Sequence, residues 1–212
     1  MTSESKTLYI WDIANTIILE PWDAEGTGFS NMGAYVESLG YDLKTISPRD
    51  YEWLYEKPYK KGMFKLGPNK GFKDVLTWTK NNIVFTQGNR EQLDWRAEYL
   101  NPRCGFDFRD FIEEINSTFD YGDTNCKTKE MLKDLLKRKY NEGFKTVVYT
   151  DDRVINCQSF IEAADELISE LPDFTYRTYH IQNDNKGARV KQGYAEIGNL
   201  YDLQDVEQKL HE

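Results

Sequence analysis

Apolar positions along the chain follow two alternating rhythms. Short β-branched or aromatic runs bounded by polar residues occur at Leu8 to Trp11, Ile83 to Phe85, Thr146 to Tyr149 and Thr175 to Ile181, and each predicts a buried strand. Between them, Phe72 to Thr79, Gln92 to Leu100, Lys129 to Lys139 and Asn156 to Leu171 space their apolar residues as helices do. Strand and helix in alternation predict an α/β fold with a parallel sheet. One stretch breaks the alternation. Pro21 to Gly71 holds Gly26, Gly28, Gly33, Gly40, Gly62 and Gly67, many aromatic residues, and short helical patterns at Ala34 to Leu39 and Arg49 to Tyr55. It predicts an insertion after the first strand. Near the end, Asn183 to Gly187 (NDNKG) is a polar turn signal before Tyr194 to Leu203, and a terminal helix is expected at about Gln204 to Leu210.

Composition agrees with a folded core and narrows the partners. A 212-residue chain with 39% hydrophobic and 14% aromatic residues can bury one sizeable core and lies far from disordered compositions. The net charge of −9 repels polyanions, which opposes nucleic acid or an anionic membrane as the main partner. Three cysteines without paired spacing, Cys104, Cys126 and Cys157, predict neither a disulfide framework nor a thiolate metal site and fit a reducing cytoplasm. The polar opening MTSESKTLYIW predicts no signal peptide, and no apolar run reaches bilayer-spanning length.

Four strand ends carry chemistry. LYIWDIANT ends a strand in Asp12, where open α/β sheets bind ligands in the crevice beyond their carboxyl ends. NNIVFTQGN ends another in Thr86, with Gly88 close behind, so a hydroxyl and backbone N–H groups are available to phosphoryl oxygens. CKTKEML puts Lys127 and Lys129 just ahead of a helix, where an ammonium can neutralise charge on a transferring phosphoryl group. KTVVYTDDRVIN closes a strand on Asp151 and Asp152, two hard oxygen donors suited to Mg²⁺. Each signal alone is weak, since such residues also cap helices and turns. In this order they supply a nucleophile, a hydroxyl, a cation and metal ligands, the parts that phosphoryl transfer needs.

WDIANT, VFTQGN, Lys127 and YTDDRVIN together resemble the four ordered motifs of the haloacid dehalogenase superfamily, over Leu8 to about Ala164. The resemblance implies a Rossmannoid three-layer α/β/α sandwich, one domain over 1–212, with a small, mainly helical cap inserted at about 21–71. It implies that Asp12 attacks phosphorus and that Thr86 and Lys127 hold phosphoryl oxygens, with Lys129 as the alternative lysine. Asp12, the Ala14 backbone carbonyl and Asp151 would coordinate Mg²⁺, and Asp152 would assist. The implied substrate is a small phosphorylated metabolite.

The chain departs from the family at Ala14, where the first motif usually carries a second aspartate as general acid and base. A methyl group can neither protonate the leaving oxygen nor activate water, and such assistance is typically worth ~10²–10⁴-fold. Activated leaving groups, aryl or acyl, depend on it less. Three explanations remain open: a natural variant with another acid/base, a phosphate-binding or interaction module without turnover, or an engineered replacement. Phosphonoacetaldehyde hydrolases also carry alanine here and use a cap lysine, for which Lys57, Lys60, Lys61 and Lys65 are candidates. The aromatic residues of the insertion, from Trp22 to Phe64, are expected to form its core, a lid over substrate, or both. His180 and His211 have no metal-ligand pattern around them.

Overall fold

Strand β1 (Lys6–Trp11) buries both faces: Leu8 and Ile10 join one apolar cluster, Tyr9 and Trp11 another. A strand with two apolar faces needs cover on both sides, so it lies inside a parallel sheet between two helix layers. The computed structural model, which describes residues 6–122, 126–184 and 186–210, has that arrangement. β4 (Asn82–Thr86) and β6 (Phe144–Asp151) flank β1 in parallel, and β5 (Glu114–Ser117) and β7 (Thr175–Ile181) extend the sheet on either side. β9 (Ala195–Ile197) adds in parallel to β7, and β8 (Arg189–Val190) closes the edge antiparallel. The order is β5-β4-β1-β6-β7-β9-β8.

Helices α6 (Lys129–Asn141) and α7 (Val154–Ile168) cover one face through Leu132, Leu135, Phe160 and Ala164. Helices α4 (Phe72–Trp78), α5 (Arg90–Cys104) and α8 (Leu200–Lys209) cover the other through Val75, Leu93, Ala97 and Leu203. The result is a three-layer α/β/α sandwich, as the resemblance implies, around the mostly parallel sheet that the alternation predicts. No described helix is long and apolar enough to cross a membrane.

After β1 the chain makes a tight turn in which the Thr16, Ile17 and Ile18 N–H groups all donate to the Ile13 carbonyl. It then enters a two-stranded ribbon of β2 (Ile18–Leu19) and β3 (Gly67–Pro68). Between these strands lie α1 (Ala24–Thr27), α2 (Met32–Ser38) and α3 (Pro48–Lys60), and α2 and α3 pack on a small cluster of their own around Met32, Tyr35, Val36 and Leu54. α3 starts where Ser47 accepts a bond from the Asp50 N–H and proline occupies the first turn.

Three features depart from the sequence pattern. β5, with the sequence EINS, is too short and polar to stand out by periodicity, and its place comes from its register with β4. The stretch from Tyr194 to Leu203 splits into β9 and the start of α8. The break falls at Gly198, where a Cβ would lie 2.2 Å from the Asp184 carbonyl oxygen. α8 therefore begins at Leu200, with a capping box formed by Asn199 and Asp202, rather than near Gln204.

A buried ion pair fastens the helical insertion to the sandwich. Arg96 of α5 bonds Glu20, which follows β2, and both side chains are almost fully buried. Tyr55 of α3 donates to the other Glu20 oxygen at 3.0 Å. Removing one partner strands the other charge, so Arg96→Ala is expected to lower unfolding stability by about 3–5 kcal/mol. The apolar double variant Glu20→Leu/Arg96→Met should recover most of that loss. Chemical denaturation measures both, and equal losses in the two would contradict this account.

Candidate active site

The sheet order reverses beside β1, because the chain fills β4 and β5 on one side before crossing to β6 and β7 on the other. At such a switch point the loops diverge and leave a crevice at the carboxyl ends of the strands. The ends of β4, β1 and β6 bring Thr86, Asp12 and Asp151 to that crevice. Register aligns them: Trp11 pairs with Val84 on one side and Thr150 on the other, and the Asp12 N–H donates to the Thr150 carbonyl at 2.9 Å.

Lys127, just before α6, has no exposed side-chain surface. Its Nζ donates to Asp12 Oδ1 and to Asp151 Oδ2, each at 2.6 Å. Burial alone would depress the ammonium, but the two carboxylates outweigh it and hold its pKa above the usual lysine range. Two of the three ammonium protons are so engaged. Lys129 instead points outward to Glu166 on α7, at 2.8 Å. Lys127 is therefore the lysine that reaches the strand ends.

The two aspartates after β6 differ in what they touch. Asp151 Oδ2 accepts from Lys127 and from the Tyr149 hydroxyl at 2.8 Å, while Oδ1 accepts from the Arg153 N–H at 2.9 Å and Asn156 Nδ2 at 3.0 Å. Its lone pairs are thus met by protein donors. The Asp152 carboxylate meets no such donor among the described residues. Carboxylate oxygens of Asp12, Asp151 and Asp152 nonetheless all lie within 4.8 Å of one another. Burial, then the charges of Asp12 and Asp151, pushes Asp152 up to about 8, with Lys127 and Arg153 only partly offsetting them. Burial likewise raises Asp12 to about 6 against the pull of Lys127. Crowded carboxylates with excess negative charge, one of them without a protein donor, form a donor set that fits a hard divalent cation.

Thr86 is buried, and its Oγ1 accepts from the Gly88 N–H at 3.1 Å, leaving the hydroxyl proton to donate. Ser117 Oγ pins the same turn by donating to the Gly88 carbonyl at 2.8 Å. The turn after Asp12 is held by residues the sequence did not single out. Asn15 takes the left-handed conformation, φ 55°, and its side chain accepts from the Glu20 N–H. Asn183 donates to the Asn15 carbonyl at 2.6 Å, and Asn69 bonds both Asn183 and the Thr16 carbonyl at 2.7 Å. Asn183 sits in the NDNKG turn, the only local sign of this role. His180 packs against the Asp152 carbonyl at 3.0 Å, whereas His211 lies outside the described residues.

Within the insertion, Trp22, Phe29, Tyr35, Tyr55 and Phe64 pack ring on ring, so most of its aromatic residues form core. Tyr51 and Tyr55 also face a cavity, while Trp53 is exposed. Lys57, Lys60, Lys61 and Lys65 are all exposed, with Lys60 paired to Glu56 and Lys65 to Asp23. None is buried, as the desolvated lysine of a Schiff-base mechanism would be.

No protein-family model matches the sequence, and no curated protein is similar to it in sequence. Solved structures do resemble it. The UTR4 protein of Saccharomyces cerevisiae superposes with a TM-score of 0.52 at 12% identity, covering 92% of this chain and 98% of its own. A HAD family enzyme from Bacteroides thetaiotaomicron, solved as a magnesium complex, gives 0.48 at 14% identity over 82% and 92%. A HAD-superfamily hydrolase of subfamily IA from Geobacter sulfurreducens gives 0.46 at 14% over 95% and 99%. At such identities the likeness is one of fold alone, and the chain shares its overall α/β fold with the UTR4 protein.

Proposed function

We propose that the protein is a Mg²⁺-dependent phosphohydrolase that transfers a phosphoryl group from a small phosphorylated metabolite to Asp12. The observation that carries this reading is the fully buried Lys127, clamped between Asp12 and Asp151 at the crevice where Thr86 also ends. Lys127 fixes the Asp12 carboxylate at one oxygen, which leaves the other to attack phosphorus. Its third proton and the Thr86 hydroxyl would hold phosphoryl oxygens as charge shifts during transfer.

Asp12 and Asp152 would hold the metal, together with the Ala14 backbone carbonyl. This assigns Asp152 the ligand role and leaves Asp151 as the anchor of Lys127, because the Asp151 lone pairs are already engaged. When bound, Mg²⁺ supplies Lewis-acid neutralisation of the phosphoryl oxygens.

With Ala14 in place of an acid, the chain acts on substrates whose leaving group departs unaided. Aryl or acyl phosphates should be turned over in a Mg²⁺-dependent manner, and Asp12→Asn should abolish it. Ala14→Asp should raise turnover of alkyl phosphates by ~10²–10⁴-fold. Steady-state phosphate release measures all three. If the native chain is inactive on every class and only Ala14→Asp turns over, the protein is a phosphate-binding module and this reading fails.

Metal binding also predicts a pH dependence. Asp12 and Asp152 are raised to about 6 and about 8 from an ordinary 3.8. Between these limits the folded state keeps protons that the unfolded chain has released, so metal-free stability falls as pH rises through that window. A cation on the ionised carboxylates removes the penalty, so the Mg²⁺-induced rise in Tm should be larger at about pH 8 than at about pH 5. Thermal melts test it, and Asp152→Asn should flatten the difference. A shift independent of pH would contradict the ligand assignment.

A further inference from the structure

Beside the buried carboxylates lies a cavity of about 390 Å³ under the first turns of α3. Leu43, Ile46 and Pro48 line it with aliphatic surface, and Tyr51, Tyr55 and Phe119 with rings. Its polar wall is Glu52 together with Gln87 and Arg153, the last two being the residues that follow Thr86 and Asp152. Arg153 Nη1 donates to Gln87 Oε1 at 2.7 Å, while the Arg153 N–H donates to Asp151 Oδ1 at 2.9 Å. The cavity and the carboxylate cluster therefore share the β4–α5 and β6–α7 turns.

We propose that this cavity receives the ring of a phenolic phosphate, so that the substrate class is the aryl phosphomonoesters. The proposal rests on the phosphohydrolase reading above and names its substrate. Two independent features meet in it. About 150 Å³ of apolar cavity is enough for one benzene ring, so the space holds a ring with substituents. Tyr51, Tyr55 and Phe119 offer the faces and edges that aromatic rings prefer to meet. The second feature is Ala14, which leaves the departing oxygen without the usual acid. A phenol ionises near pKa ~10, as tyrosine does, against ~16 for a water-like hydroxyl, so a phenolate departs without that acid far more readily than an alkoxide.

Glu52 supports the same conclusion. It lines the cavity with its carboxyl bonded to Gln92. Burial pushes it up to about 7, so near neutral pH it sets less negative charge against an incoming phosphate dianion than an ordinary, fully ionised carboxylate would. In the reaction, an Asp12 oxygen bonds to phosphorus as the bond from phosphorus to the ring oxygen breaks, and the phenolate takes a proton from water. Water then attacks phosphorus, the bond to Asp12 breaks, and inorganic phosphate leaves with the Asp12 carboxylate restored.

The test compares kcat/KM of the full-length protein with Mg²⁺ on phenyl phosphate, propyl phosphate and acetyl phosphate, the last being an activated substrate too small to need the cavity. Phenyl phosphate should exceed propyl phosphate by at least about 100-fold. Ile46→Trp and, separately, the more exposed Leu43→Trp put bulk into the cavity. Each should lower the ratio of phenyl to acetyl phosphate kcat/KM by about tenfold or more. Turnover of acetyl phosphate without a preference for phenyl phosphate, or an unchanged ratio in both variants, overturns the aryl assignment and leaves the phosphohydrolase reading standing. Absence of Mg²⁺-dependent turnover of all three overturns both. A phosphotyrosyl peptide run beside phenyl phosphate distinguishes a protein-borne phenolic phosphate from a small one, and preference for either over propyl phosphate sustains the proposal only together with the lowered ratio in the cavity variants.

Discussion

A fully buried ammonium must be matched by carboxylates at hydrogen-bond distance, because an unpaired charge in the interior carries a penalty that no side-chain packing offsets. Lys127 meets that condition with Asp12 and Asp151 on two neighbouring strands, and much of the structure serves it. β1 and β6 must lie side by side in a register that brings both carboxylates level. α6 must begin where its preceding residue can reach inward, and Thr128 caps it there. Tyr149, Asn156 and the Arg153 N–H then complete Asp151, so the anchor itself is fixed by three further residues. The same clamp leaves Asp12 and Asp152 close together with too little positive charge between them. Structural economy at Lys127 thus creates the electrostatic imbalance that a divalent cation would relieve.

The missing carboxylate at position 14 changes what this frame can do without disturbing the frame itself. The turn that carries Ala14 is held by backbone bonds to Ile13 and by Asn15, Asn69 and Asn183, none of which depends on the side chain at 14. In the proposed function, phosphoryl capture and proton transfer are therefore separable. The first would rest on the buried groups Asp12, Thr86 and Lys127, and the second would have to be met by the chemistry of the leaving group.

The parts of this account that were legible in the sequence are local. Strands such as Thr146 to Tyr149, and the residues that end them, announce themselves by apolar runs followed by Asp12, Thr86 or Asp151. What was not legible depends on contacts across the chain. Glu20 and Arg96 pair over 76 residues, and nothing near either signals a buried ion pair. β5 holds its place through register with β4 rather than through its own composition. The contrast between Asp151 and Asp152 depends on the donors each one meets, and two adjacent aspartates look alike until Tyr149 and Asn156 are placed around one of them.

The central claim is that Asp12 becomes phosphorylated, and the absence of an acid/base side chain at 14 should make that intermediate long-lived. The direct measurement is to incubate the protein with Mg²⁺ and acetyl phosphate, quench in acid, reduce with borohydride, and read the peptides by mass spectrometry. Reduction of an aspartyl-phosphate converts the residue to homoserine. The account predicts homoserine at position 12, at higher occupancy than in Ala14→Asp. An unmodified Asp12, or reduction at another residue instead, would contradict it.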